Sequence, residues 1–399
     1  MRPVRQLGAV ARARKAKRCF LVAGRAGSAA EIAAQRLAEV GIEVEQFWLP
    51  AGLGSPTPAA VDAAVAAAQR FGADTMVGVG SGGVLDVAKG AAALVNAPVP
   101  GNGILAASQF LFGAENGRAL SPNTSVQTIL VPTTAAVATM SGRSLLQDFD
   151  RHGTLFPLAI AGPGPFGVGQ GLQPTEVVAD PEMTASQSRR GSVAAAVHAL
   201  STFADGVVAA TGTIKFKMLY DDMADGLTAA SAALRDPDNA KVDALLAALA
   251  AGVTASDADA NARGSLCLTH SLGCIAVGTW FGMSFPAVAS ALLPPVLREW
   301  EDQASEEEIS GLRELASHVL RKPNAGLCDL ADWVDDKCAF AKVPRPSPSF
   351  GVTPDAAAAA LARHAATSPI LLQRPAPEWI FDVECLTRIF RGAFAQGAR

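Results

Sequence analysis

The N-terminal part of the chain alternates between short apolar strands and helices, and this alternation constrains the fold more than any other feature. Strands are predicted over 19–23, 42–49, 75–79 and 126–131, and helices over 28–40, 59–71 and 84–95. A helix lies between the first and second of these strands and another between the second and third. Strands connected in this way do not form hairpins. We therefore expect a parallel sheet covered by helices on both faces, an α/β architecture.

The character of the sequence changes after about residue 180. Strand signals almost vanish, and Ala- and Leu-rich helical segments continue to the C-terminus. We therefore predict a dinucleotide-binding α/β domain over 18–180 and an all-α domain over 181–399. Residues 1–17 carry basic residues and no acidic one, which predicts a solvated basic arm. The acidic run Glu306–Glu308 follows Ser305 and predicts a helix start there.

Charge and cysteine content exclude several classes of partner. The 33 Lys and Arg against 37 Asp and Glu leave a net charge of −4, so no overall basic field exists to hold nucleic acid. The six cysteines form no CxxC pair, which is typical of free thiols in a reducing compartment and predicts a cytoplasmic protein. Apolar stretches fall short of the roughly 18 to 20 strongly apolar residues that a spanning helix needs, so we expect no membrane partner.

A glycine-rich turn follows the strand over 75–79 and opens a helix. Gly80, Ser81, Gly82 and Gly83 stand where backbone N–H groups at a helix N-terminus can approach a diphosphate without a Cβ in the way. Gly78, Gly80 and Gly83 match the GxGxxG spacing of dinucleotide-binding turns. A tight structural turn would give the same pattern, so the turn by itself leaves both interpretations open.

Several motifs that occur in a set order make the resemblance more specific. They are the turn from Gly80 to Lys89, the segment Pro132–Thr133–Thr134–Ala135, the run at 178–184, the run at 268–273, and the segment from Phe285 to Pro294. In this order they resemble the GGGSxxDxAK, PTTxGTGSE, DPxLT, HPLGG and PHGxANAxLLP motifs of the iron-containing (group III) alcohol dehydrogenase superfamily. The resemblance implies a Rossmann-like N-terminal domain and an all-α C-terminal domain, the dehydroquinate synthase-like fold. It also implies a dinucleotide cofactor.

The resemblance assigns candidate cofactor-binding residues one by one. Gly80, Gly82, Asp86 and Lys89 match the phosphate motif, while Ser81 and Gly83 replace two of its residues. The other candidates are the threonine pair Thr133 and Thr134, then Thr139 in the segment that replaces GTGSE, and Arg25, the nearest basic candidate for a 2′-phosphate. Because no acidic partner for a ribose hydroxyl is evident, both NAD and NADP remain open.

The family's metal ligands are absent from the matching positions. The family uses one carboxylate and three imidazoles, which would fall at His198, Thr202, Leu266 and Phe285 or Pro286. One replacement side chain could not restore such a site, so we predict no catalytic metal. His198 and His270 remain, and the resemblance would place them on the nicotinamide side of the cleft. An imidazole with a pKa near roughly 6.5 could accept the alcohol proton there, with His270 the stronger candidate.

These residues together predict an NAD(P)-dependent oxidoreductase that interconverts a hydroxyl and a ketone without a metal. One substrate candidate is the C-terminal threonine of a precursor peptide, oxidised with decarboxylation as in daptide-type natural-product pathways. A second is a keto acid of the maleylacetate-reductase type. A third alternative is an inactive protein that binds nucleotide or serves as a scaffold. We expect a small-molecule or peptide substrate, and the family resemblance favours a homodimer.

Overall fold

The structure is a computed structural model that describes residues 2–24, 27–49, 56–96, 111–112, 126–142, 144–149, 155–160, 172–210, 216–260, 272, 283–346, 353–367 and 378–394. The chain divides into two compact units. Unit 1 contains Met1–Gly153 and Pro157–Gln187, and unit 2 contains Thr154–Phe156 and Ser188–Arg399.

The strands are β1 (Arg18–Ala23), β2 (Glu43–Trp48), β3 (Thr75–Gly80), β4 (Leu111–Phe112), β5 (Gln127–Pro132), β6 (Ser144–Phe149), β7 (Leu155–Ile160) and β8 (Glu176–Val177). Five of them form a parallel sheet in the order β2-β1-β3-β5-β8. A second sheet, which the sequence did not predict, has the order β4-β7-β6. The predicted strands at 19–23, 42–49, 75–79 and 126–131 are all confirmed within one or two residues.

The α-helices in the described residues of unit 1 are α1 (Leu7–Ala13), α2 (Ser28–Ala38), α3 (Pro58–Phe71), α4 (Gly82–Leu94) and α5 (Pro181–Thr184). Local chemistry sets the bounds of α3: the Thr57 hydroxyl accepts from the Ala60 N–H, Pro58 fills the first helical position, and Gly72 ends the helix at φ 71°. The central strands β1 and β3 are buried almost throughout, as strands covered on both faces require. Edge strand β2 is largely exposed.

The first residues of the chain are not a solvated arm, which corrects the prediction for 1–17. Leu7, Val10 and Ala11 of α1 are buried in the same apolar cluster as residues of β1 and α2. The Val4 N–H donates to Asp180 Oδ2 at 2.7 Å, and Arg2 and Arg14 both pair with Glu176. The arginines alternate with apolar residues, so the helix buries one side and keeps its charges at the edge of the sheet.

Unit 2 is helical in the described residues, apart from the short stretch of β7 that it includes. Its helices are α6 (Arg189–Ala210), α7 (Phe216–Arg235), α8 (Lys241–Ala260), α9 (Phe285–Gln303), α10 (Glu306–Leu320), α11 (Leu327–Phe340), α12 (Pro354–Thr367) and α13 (Val383–Ala393). Short 3₁₀ segments lie at Val4–Gln6, Val137–Thr139 and Glu378–Phe381. Ser305 and Glu308 form a capping box at the start of α10, which confirms the predicted helix start.

Helix α6 is the core helix of unit 2, in contact with α7, α8 and α9. It is long and apolar enough to cross a membrane by length and composition, but 89% of the apolar window within Arg189–Val208 is buried inside the protein. A helix covered by its neighbours has no apolar face left for lipid. The hydropathy of α6 therefore reflects its central place in the helical core.

Candidate active site

The turn between β3 and α4 presents a helix N-terminus without a side-chain cap. Ser81 occupies the N-cap position in an extended conformation, φ −77° and ψ 173°, and its hydroxyl makes no capping hydrogen bond. Gly82 then begins the 13-residue helix. The first N–H groups of a helix have no intrahelical acceptor and carry partial positive charge. The start of α4 is therefore a suitable binding point for an anion such as a diphosphate.

This turn lies at the point where the order of the sheet reverses. From β1 the chain continues to β2 on one side, whereas from β3 it continues to β5 on the other. Parallel sheets bind ligands beyond the carboxyl ends of the two strands at such a reversal. Gly24 follows β1, and a Cβ there would lie 3.1 Å from Val84 Cγ2, so the end of β1 packs on the first turn of α4.

The glycines of the turn serve two different needs. A Cβ at Gly78 would lie 2.8 Å from Ala88 Cβ, and a Cβ at Gly80 would lie 2.8 Å from Val84 Cβ. These two glycines let α4 pack closely on the sheet, which is the structural role that such a motif predicts. Gly82 differs, because a Cβ there would meet Ala136 and Ala138 at ordinary contact distance, 3.6 Å. The space beside Gly82 is therefore not required for packing.

Asp86, matched to the phosphate motif, forms an ion pair within α4. It is buried, and its Oδ1 lies 3.1 Å from the Nζ of Lys89, one turn further along α4. Burial lowers the pKa of Lys89, and the nearby Asp86 carboxylate counteracts that effect. Asp86 therefore belongs to a buried ion pair inside the helix, and its contact with a cofactor stays a prediction.

The threonine-containing segment runs beside the same turn. The Thr133 N–H donates to the Gly80 carbonyl at 2.9 Å, and Thr133 and Thr134 are half-buried directly after β5. Thr139 is fully buried, and its Oγ1 has no hydrogen-bond partner among the described residues. A buried hydroxyl without a partner is unfavourable, so a polar ligand group that reached it would be stabilised.

In unit 2, two positions matched to the family's metal ligands pack against each other. The His198 imidazole on α6 lies 4.8 Å from the Phe285 ring at the start of α9, centroid to centroid. His198 is 7% exposed, and burial lowers its pKa to about 3. The Thr202 hydroxyl, one turn along α6, donates to the His198 carbonyl at 2.9 Å.

Comparison with known proteins agrees with this architecture. Residues 2–155 match the family described as iron-containing alcohol dehydrogenase. The structure superposes on an archaeal halo-thermophilic alcohol dehydrogenase, ADH/D1, from a Red Sea brine pool with a TM-score of 0.79 at 14% identity, covering 98% of this chain and 95% of that one. The fold is that of the iron-containing alcohol dehydrogenases.

Other members of this fold superpose over similar lengths. An NADH-dependent butanol dehydrogenase from Thermotoga maritima gives a TM-score of 0.72 at 15% identity, with 98% of this chain and 95% of that chain covered. A sulfoacetaldehyde reductase from Bifidobacterium kashiwanohense in complex with NAD+ gives 0.69 at 18% identity, with 97% and 93% covered. Among proteins of curated function, none matches the sequence at a significant level.

The described residues at the matched positions do not fit the iron of the alcohol dehydrogenases. Of the matching positions that the structure describes, His198 offers an imidazole, Thr202 has its hydroxyl bonded to the backbone, and Phe285 offers no donor. Within the described ranges, no group of three or more His, Cys, Asp and Glu side chains could hold a metal ion. Leu266 lies outside the described residues. A divalent ion requires several oxygen, nitrogen or sulfur ligands, and this packing supplies one.

The burial of His198 bears on its predicted role as a proton acceptor, which stays a prediction. With a pKa of about 3, its imidazole stays uncharged throughout the neutral range. Candidates His270 and Arg25 lie outside the described residues, so their roles stay predictions. Lys89 matches the phosphate motif, but the motif by itself indicates no separate role for it. A lysine three residues after an aspartate, in a helix otherwise made of apolar and small residues, was the signal for a buried pair.

Proposed function

We propose that this protein is an NAD(P)-dependent oxidoreductase that interconverts a hydroxyl and a carbonyl group by hydride transfer. The observation that carries the proposal is the uncapped N-terminus of α4 at the reversal of the β2-β1-β3-β5-β8 sheet. The fold shared with dehydrogenases and reductases supports it.

Residues at the start of α4 and after β5 are proposed to bind different parts of the dinucleotide. The N–H groups at the start of α4 would hold the diphosphate, and Gly82 leaves room for its approach. Thr133 binds the Gly80 carbonyl through its N–H and Thr134 follows it in the chain, so their hydroxyls are candidates for the adjoining part of the dinucleotide. When bound, a nicotinamide dinucleotide accepts or donates the hydride at its ring. The protein then needs to orient the substrate and move one proton.

We further propose that this reaction proceeds without a catalytic metal. The support is the replacement of ligand positions by the packed His198 and Phe285 rings. His270 is the proposed acid/base, since His198 has a pKa of about 3. An imidazole of ordinary pKa near roughly 6.5 can take the hydroxyl proton as the hydride leaves the carbinol carbon.

The proposed substrate is an alcohol or ketone activated by a neighbouring carboxyl or carbonyl group. Without a Lewis acid, an electron-withdrawing neighbour has to ease the loss of the proton or the transfer of the hydride. A keto acid of the maleylacetate type meets this condition. So does the C-terminal threonine of a peptide: loss of hydride from Cβ and of the hydroxyl proton gives a β-keto acid, which releases CO2 and gains a proton at the α carbon.

We also propose a cytoplasmic location. The described cysteines Cys19, Cys328, Cys338 and Cys385 are free thiols, which supports it.

A binding experiment tests whether the N-terminus of α4 holds a dinucleotide. Intrinsic tryptophan fluorescence, titrated with NADH and with NADPH, should show saturable binding of at least one of them. Gly82→Asp places a carboxylate where the diphosphate would bind, and Gly82→Asn is its uncharged control of nearly the same shape. A Cβ at position 82 meets Ala136 and Ala138 at ordinary contact distance, 3.6 Å, and a carboxylate at the first turn suits the helix dipole, so both variants should fold. We expect the dissociation constant of the Asp variant to exceed that of the Asn variant at least about tenfold, or about 1.4 kcal/mol.

Activity and metal content test the remaining parts. His270→Ala should lower turnover by roughly 10² to 10⁴ and leave cofactor affinity near normal. Chelator treatment should leave turnover unchanged in protein whose metal content has been measured. Stoichiometric iron or zinc that is needed for turnover would refute the metal-free mechanism. A wild-type protein that binds neither dinucleotide would refute the oxidoreductase proposal.

A further inference from the structure

Lys89 is a fully buried cation whose contacts connect α4 to the segment that follows β5. Its Nζ donates to the Ala138 carbonyl at 2.9 Å, to the Ser141 carbonyl at 3.1 Å and to the Ser141 hydroxyl at 3.0 Å. Asp86 Oδ1 lies 3.1 Å from the same nitrogen. An ammonium group in a dry interior is stable only when its protons meet such acceptors. The position of residues 138–141 is therefore coupled to this lysine.

The segment is tied to α4 at a further point. The Ser144 hydroxyl, which is buried, donates to the Asp86 carbonyl at 2.7 Å. On the other side of the segment, the Ala135 N–H donates to the Gln187 side chain at 2.8 Å. Residues 136–141 are thus flanked by hydrogen bonds at Ala135 and Ser144, and Lys89 binds them at Ala138 and Ser141.

The held segment borders the proposed dinucleotide site. The Cβ atoms of Ala136 and Ala138 lie 3.6 Å from where a Cβ of Gly82 would be, directly beside the first turn of α4. Thr139, between the residues that Lys89 holds, is fully buried with its hydroxyl unbonded to any described residue. Residues 136–141 are therefore one wall beside the helix N-terminus, and a displacement of this wall would change the space available to a ligand.

We propose that Lys89, paired with Asp86, is a positioning residue for dinucleotide binding: through Ala138 and Ser141 it holds residues 136–141, the wall beside Gly82. The inference rests on the proposed function and adds a residue that does not itself touch the cofactor. If so, cofactor affinity depends on a buried side chain of α4 that contacts residues 138–141 and not the cofactor.

A merely structural role and a positioning role predict different results in a double variant. Lys89→Met alone leaves the Asp86 carboxylate buried without its cation, which is strongly destabilising. Lys89→Met combined with Asp86→Leu removes both charges, so most of the lost stability should return. The hydrogen bonds to Ala138 and Ser141 remain absent in the double variant. If the lysine positions the wall, affinity stays low while stability recovers.

The experiment measures unfolding in urea, the dissociation constants for NADH and NADPH by fluorescence, and amide hydrogen exchange over 138–142 without cofactor. Ser141→Ala is a milder second variant, and Lys322→Met, at an exposed lysine of unit 2, is the matched control. In the double variant we expect dissociation constants raised at least about tenfold and exchange at 138–142 accelerated at least about tenfold. Ser141→Ala should show a smaller change in the same direction, and the control none.

Two results would overturn the inference. One is a double variant that binds the dinucleotide as the wild type does, which leaves the proposed function intact. The other is unchanged exchange over 138–142, which would show that the lysine does not hold the segment. A wild-type protein that binds neither dinucleotide refutes the proposed function itself and the affinity part of the inference together.

Discussion

The burial of His198 predicts a specific loss of stability in mild acid. Its pKa is about 3 in the folded protein against 6.5 for an exposed imidazole. Between these values the unfolded chain binds a proton that the folded chain does not, so the free energy of unfolding falls as the pH falls. At pH 5, about 1.5 units below the unfolded pKa, the contribution is about 2 kcal/mol. This figure is nearly the same for any folded pKa below about 4.

The measurement compares urea unfolding at pH 7.5 and at pH 5.0, followed by circular dichroism at 222 nm. Other groups also titrate in this range, so the wild type is compared with His198→Gln, which has no proton to gain. The variant loses the contact with Phe285 and should be less stable at pH 7.5. Between the two pH values, however, the wild type should lose about 2 kcal/mol more than the variant. His318→Gln, at the partly exposed end of α10, is the control and should retain the wild-type loss.

Equal losses in the wild type and in His198→Gln would refute the reasoning. They would mean that the imidazole is protonated in the folded protein at pH 5. The pocket formed with Phe285 would then be wet or open, and the case for a metal-free, neutral histidine at this position would fail.

Three further predictions concern packing, the first residues of the chain and the cofactor. In urea titrations, Gly78→Ala should lower the free energy of unfolding by about 1–3 kcal/mol, because its Cβ would meet Ala88 at 2.8 Å. At Gly82 the nearest atoms are 3.6 Å from a Cβ, so Gly82→Ala should change the free energy of unfolding by less than about 0.5 kcal/mol. Asp180→Ala removes the acceptor for the Val4 and Glu182 N–H groups and should cost about 1–2 kcal/mol; a change in thermal midpoint no larger than that of the exposed Glu39→Ala would contradict this. Arg25→Ala should weaken NADPH binding and leave NADH binding unchanged if Arg25 meets a 2′-phosphate, and equal effects on both cofactors would remove that role.

The N-terminal sheet was predictable because its signals are local. Strands β1, β3 and β5 are apolar runs bounded by charged or turn residues, and α3 has both its start and its end written in Thr57, Pro58 and Gly72. The capping box of α10 was equally visible, since Ser305 and Glu308 are three residues apart. Such features depend on neighbours along the chain, which a sequence contains in full.

The first helix and the smaller sheet were missed for the opposite reason. The basic residues of 1–17 suggested solvent, but the partners that hold them, Glu176 and Asp180, lie more than 160 residues away in the chain. In the smaller sheet, β4 is only two residues long, and its Leu111 pairs with the distant Ile160 of β7. Neither kind of contact leaves a periodic signal in the segment itself.

The sequence by itself predicted the strands β1, β2, β3 and β5, the helices between the first of them and the glycine turn before α4, because residue type and spacing along the chain indicate each of these features. The tertiary structure decided what the charged and polar residues do. It paired Asp86 with Lys89 in the interior, brought Lys89 to the carbonyls of Ala138 and Ser141, and packed His198 against Phe285. The physical reason is that a titratable group's protonation and its role follow from desolvation and from partners that only folding brings within reach.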